Sequence, residues 1–93
     1  MGIPFNIAST ALLTNLIAKT CDLTPSLMII TLGDSHVYLN HLKMLSEQLE
    51  REPTAFPQLK IKTKKDQLWD YEFEDLELVN YKPQGKLTAP MAV

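Results

Sequence analysis

Ile7-Ala8-Ser9-Thr10-Ala11-Leu12-Leu13-Thr14-Asn15-Leu16-Ile17-Ala18-Lys19-Thr20 is the stretch on which the reading of this fold turns. On a helical wheel Ile7, Ala8, Ala11, Leu12, Leu13, Leu16, Ile17 and Ala18 cover most of the circumference. A helix that is apolar nearly all round is usually a buried one. Ser9, Thr10, Thr14 and Asn15 interrupt it, so it is too short and too polar to span a bilayer. A buried helix needs covering layers on several sides, and the rest of a 93-residue chain supplies few. Asn6 stands where an N-cap is expected. Gly2-Ile3-Pro4-Phe5 reads as an extended lead-in, because Pro4 disfavours helical backbone at Ile3.

Towards the C-terminus, Cys21-Asp22-Leu23-Thr24-Pro25 ends the helix. Leu27 to Leu32 is a short continuous apolar run with β-branched members and predicts a buried strand. Gly33-Asp34 allows a bend. Ser35 to Leu39 then alternates, which puts His36 and Tyr38 on one face of an extended chain. Asn40 is placed to cap a second helix, His41 to about Arg51, with Leu42, Leu45 and Leu49 on its apolar side. Pro53 and Pro57 bracket an irregular loop. Leu59 to Lys62 and Leu76 to Val79 alternate as half-exposed strands, with a polar turn at 63–66 and a short strand or loop at Leu68 to Phe73. Pro83, Gly85 and Pro90 make the tail irregular, and its apolar end, Met91-Ala92-Val93, predicts docking rather than a solvated terminus. The fold class expected is α+β, with one buried helix, one surface helix and several short strands, all within one domain.

Composition narrows the function classes. Of the residues 45% are hydrophobic, so a packed core is expected rather than disorder. A net charge of −2 gives no electrostatic footprint for nucleic acid. Lys60, Lys62, Lys64 and Lys65 lie among acidic residues and read as a solvated face, as do Glu72, Glu74, Asp75 and Glu77. Cys21 is the only cysteine, so no internal disulfide forms, which suits a reducing compartment. No signal peptide and no membrane span are evident, and a cytoplasmic protein is expected, with the nucleus or mitochondrion as alternatives. His36 and His41 do not have metal-ligand spacing.

Three side chains carry candidate chemistry. Asn6 has a carboxamide with donors and an acceptor, able to pair with an amide-like ring edge; its plainer reading is a helix cap. His36 and Tyr38 can converge on a hydroxyl, and their plainer reading is a hydrogen-bonded core pair. Asp34 is a turn residue before it is a general base. Cys21 has no nearby base and reads as a structural thiol. Physical chemistry alone stops at a polar pocket without a named ligand.

Gly2-Ile3-Pro4-Phe5-Asn6-Ile7-Ala8-Ser9 resembles the G-[LIV]-P-F-N-I-A-S segment of thymidylate synthases, and Thr31 to His41 resembles a second segment of that family. Glu50-Arg51-Glu52-Pro53, Phe73-Glu74-Asp75 and the terminal Met91-Ala92-Val93 resemble three more, in order and along the whole chain. The resemblance implies part of that family's mixed β-sheet with packed helices, as the C-terminal portion of its single domain. It also implies its reaction, in which dUMP and the co-substrate 5,10-methylenetetrahydrofolate give dTMP and dihydrofolate. There a cysteine thiolate adds to C6 of the pyrimidine and makes C5 nucleophilic.

Residue by residue, Asn6 is similar to the asparagine that holds N3 and O4 of the pyrimidine. The related dCMP hydroxymethylases place an aspartate there, so Asn6 implies uracil over cytosine. His36 and Tyr38 match the pair that bonds the deoxyribose 3′-hydroxyl. Phe5 matches a residue on the folate side, Met1 stands where a folate-contacting leucine is usual, and Ala92 and Val93 match a terminus that closes over folate. A homodimer is implied for the full-length family. The Pro-Cys-His nucleophile segment, the Gln-Arg-Ser-x-Asp segment, the catalytic glutamate and the remaining phosphate arginines do not occur in these 93 residues. Cys21 lies downstream of Asn6, whereas the nucleophile lies upstream. Pro83-Gln84-Gly85 departs from the family's Pro-His-Pro. Two readings follow: a portion of an active thymidylate synthase, or a non-catalytic remnant serving as a binding or interaction module.

Overall fold

The computed structural model describes residues 2–91. Its order is α1 (Ile3–Thr20), a 3₁₀ turn (Leu39–His41), α2 (Leu42–Leu49), β1 (Gln58–Ile61), two further 3₁₀ turns (Leu68–Asp70 and Phe73–Asp75) and β2 (Leu76–Val79). The α+β class is therefore as expected.

Helix α1 starts four residues earlier than expected. Gly2 is its N-cap and Pro4 sits in the first turn, where a missing N–H costs nothing and the fixed φ suits a helix. Asn6 is consequently not the cap: its N–H donates to the Gly2 carbonyl at 3.1 Å, inside the first turns. The polar residues of α1 bond back to the preceding turn. Thr14 Oγ1 reaches the Thr10 carbonyl at 2.8 Å, Asn15 Nδ2 the Ala11 carbonyl at 2.8 Å, and Thr20 Oγ1 the Leu16 carbonyl at 2.9 Å. Such back-bonding lets a polar residue sit in an apolar helix without an outside partner.

The C-terminus of α1 is a Schellman turn. Leu23 N–H donates to the Ala18 carbonyl at 2.8 Å and Asp22 N–H to the Lys19 carbonyl at 3.4 Å, with Asp22 left-handed at φ 56°. The Asp22 carboxylate pairs with Lys64, and this hydrogen bond raises the Lys64 ammonium pKa above its ordinary value. The ammonium side of that pairing is in place at neutral pH and is lost as pH rises through the raised lysine value.

β1 and β2 are antiparallel, with Leu59 opposite Leu78, Lys60 opposite Glu77 and Ile61 opposite Leu76. One face is thus apolar and the other carries an opposite-charge pair. The half-buried Leu59 and Ile61 lie with Asn15, Lys19 and Leu23 of the α1 end. The Tyr71 hydroxyl completes this joint, 3.3 Å from Thr20 Oγ1 and accepting the Lys65 N–H at 3.2 Å.

The tail runs back along α2. Gln84 donates to the Glu52 carbonyl, Arg51 Nη1 to the Gly85 carbonyl at 2.9 Å, and Asn40 Nδ2 to the Pro90 carbonyl at 3.5 Å. The departure at Gln84-Gly85 is therefore itself a docking point. This strap selects the inner face of α2. Met44 is buried and Leu45 half-buried, while Leu42 and Leu49 are exposed, contrary to the leucine face expected. Asn40 is not the helix cap, because a 3₁₀ turn occupies 39–41 and α2 opens at His41.

Two further expectations are corrected. Leu27 to Leu32 forms no strand, and Leu27 and Ile29 are 78% and 80% exposed. Its backbone is irregular because no other described segment pairs with it, and a lone strand leaves its N–H and C=O groups unmatched. Ser35 to Tyr38 likewise forms no ladder. Helix α1 is not enclosed either: among its described residues only Ala18 is buried, and Phe5, Leu13 and Ile17 face outward.

Candidate functional site

The start of α1, the bend at Gly33-Asp34 and the start of α2 surround a hollow of about 350 Å³, lined by Gly2, Ile3, Pro4, Asp34, Ser35, His36, Val37, Tyr38, His41 and Leu45. Pro4 fixes the helix entry on one side, and on the other the chain changes from extended at Tyr38 (φ −70°, ψ 141°) to helical at Leu39. This change carries His36, Tyr38 and His41 into a row of rings.

His36 and Tyr38 meet edge-to-face with centroids 5.3 Å apart, and Tyr38 and His41 do so at 5.5 Å. The i, i+2 spacing read from the sequence thus brings the first pair together without a strand. Asp34 Oδ1 lies 3.5 Å from His36 Nδ1 and is 94% exposed. Imidazole and phenol edges side by side can both donate to and accept from one hydroxyl.

His41 is the residue that sequence reading passed over. It is buried, at 7% exposure, and its Nε2 lies 2.8 Å from the Pro90 carbonyl. A carbonyl only accepts, so Nε2 carries the proton and the tautomer is set. Its partner stands 49 positions away in sequence, so no local pattern could have announced it.

The other expected site residues are spread out. Asn6 is exposed and is not among the residues lining this hollow, although it lies three and four positions after Ile3 and Gly2 and so shares their helix face. Phe5 lines a neighbouring hollow of about 490 Å³, with Met44, Gln48, Arg51, Tyr81 and the strap. Ala92 and Val93 lie outside the described residues. Cys21 caps the far end of α1, across the 18 residues of the helix from Gly2, a length of about 27 Å at 1.5 Å per residue. Among the described residues there is no His/Cys/Asp/Glu group able to hold a metal ion and no helix long and apolar enough to cross a membrane.

The thymidylate synthase family model matches residues 1–93. The chain belongs to the thymidylate synthase family. Membership accounts for its α+β make-up and attaches it to the methyltransferases of dTMP synthesis, whose co-substrate is methylenetetrahydrofolate.

Proposed function

We propose that this chain is the C-terminal portion of a thymidylate synthase domain and supplies base, deoxyribose and folate-side contacts for turning dUMP and 5,10-methylenetetrahydrofolate into dTMP and dihydrofolate. The observation that carries this reading is the convergence of His36 and Tyr38 on one hollow beside the start of α1. In it the two rings take the deoxyribose 3′-hydroxyl. Asn6, one turn along the same helix face, pairs with N3 and O4 of uracil through its two-sided amide. Phe5 lies on the folate side, and Ala92 and Val93 close over the folate to exclude water. The assembled enzyme is a homodimer in this reading.

Photocross-linking with 5-iododeoxyuridine tests it. Adducts are expected on the peptides containing Asn6 and His36–Tyr38. Deoxyuridine and dUMP should compete within about twofold of each other, since no cluster of arginines for the phosphate is present in these 93 residues. 2′,3′-Dideoxyuridine should compete roughly three- to tenfold less well, the worth of one lost hydrogen bond. Adducts confined to other peptides would overturn the assignment, and so would a dUMP affinity that depends wholly on its phosphate.

The non-catalytic reading is favoured by one observation: the sole cysteine stands at the opposite end of α1 from the hollow. It predicts nucleotide contact without chemistry.

A further inference from the structure

The strap could lie along α2 by shape alone, but its contacts are unevenly distributed. Arg51 and Gln84 fasten its beginning at the exposed end of α2. At its other end two side chains aim at one atom, the Pro90 carbonyl oxygen, and the shorter contact comes from the buried His41 at 2.8 Å, against 3.5 Å for Asn40. The same imidazole meets Tyr38 edge-to-face, and Tyr38 also touches His36. Among the described residues, His41 thus both hydrogen-bonds the strap and packs on the row of rings.

We propose that His41 is a positioning residue that ties the C-terminal strap to the nucleotide side of the site. Its Nε2–H fixes the Pro90 carbonyl, and with it the point from which Met91 departs. Its ring fixes the Tyr38 phenol against the hollow. One buried side chain thus sets the relative placement of two surfaces that the proposed reaction uses together. The biological meaning of this tie rests on the reading given under Proposed function; the tie itself does not, and it is measured without nucleotide or folate.

The strap contains Lys86, an exposed trypsin site between the Arg51–Gly85 and His41–Pro90 contacts; a protease draws several residues on each side of the cut bond into its cleft, so the strap has to lift from α2 for efficient cutting. At low protease the cutting rate follows the population of the open form. The full 93-residue chain is compared with His41→Phe, which keeps a ring against Tyr38 but removes the donor, and with His41→Gln, which restores a side-chain N–H donor. Release of fragment 87–93 is followed by mass spectrometry, with cleavage after Lys60 in β1, which lines neither hollow beside the strap, as the gauge of general unfolding. His41→Phe is expected to release the fragment about five- to tenfold faster, the population change expected for a hydrogen bond worth roughly 1 kcal/mol, with cleavage at Lys60 within twofold of the parent. His41→Gln is expected to return release to within about twofold of the parent. Unchanged release in His41→Phe would overturn the proposal, as would a His41→Gln chain that opens as readily as the Phe variant or a rise at Lys60 that matches the rise at Lys86.

Discussion

Assayed as the 93-residue chain, the protein releases no tritium from 5-tritiated dUMP, with or without methylenetetrahydrofolate. Release requires a thiolate to add to C6 of the pyrimidine, and covalent attack needs reacting atoms about 3–3.5 Å apart. The only thiol is that of Cys21. It sits past the last turn of α1, while the hollow with His36 and Tyr38 borders the first. About 27 Å of regular helix separates the two, and a hydrogen-bonded helix closed by a Schellman turn does not fold back on itself. The expected loss is the whole of the enzymatic acceleration, at least about 10⁶-fold. Cys21→Ser should therefore leave the result unchanged. Tritium release that disappears in Cys21→Ser would show that the thiol reaches the base, and would sink both the placement of the site and the argument for inactivity.

What could be read from the chain, and what could not, divides by the range of the contacts involved. β1 and β2 were legible because their alternation needs only each other: Leu59, Ile61 and Leu76 turn one way, and Lys60 and Glu77 face each other on the other side. The body of α1 was legible from its composition, but its start was not. The rule that proline disfavours helix in the residue before it lost to the tolerance of proline in a first turn, where Pro4 has no N–H to waste. Leu27 to Leu32 has strand composition, yet strand is a property of a pair, and no described segment supplies the second member. On α2 the leucines at 42, 45 and 49 suggested one face, while the strap, arriving from residues 84–90, lies against His41 and Met44 instead, and Leu45 turns to the hollow at the start of α1. The site follows the same rule. His36 and Tyr38 are two residues apart, and their rings meet as that spacing suggests. His41 meets Pro90 from 49 positions away, and Asn6 stands on an exposed face of α1, so neither setting is visible in a local pattern.

The same gap between local order and missing partners predicts how the isolated chain behaves in solution. A monomeric protein of 10.5 kDa is expected to expose about 5,400 Å² and to have a radius of gyration of about 12 Å. This chain exposes 8,082 Å² and has a radius of gyration of 16.3 Å. The excess surface, on the order of 2,700 Å², is comparable to what obligate interfaces bury. Much of it is apolar: Phe5, Leu27, Ile29, Phe56, Trp69 and Phe73 are each more than three-quarters exposed. At about 25 cal/mol per Å² even a third of that area outweighs the few kcal/mol by which small domains are stable. The purified chain is therefore expected to self-associate at micromolar concentration and to bind the dye ANS strongly, with sedimentation velocity showing species larger than one chain. Replacing Leu27 and Ile29 together by serine should shift sedimentation towards the monomer and lower ANS fluorescence severalfold. Helix content should barely change, because neither residue lies in α1 or α2. A parent chain that sediments as a compact monomer and leaves ANS dark would mean that these side chains find cover within the 93 residues. The exposed face of α1 and the unpaired segment after it would then not be surfaces awaiting a partner.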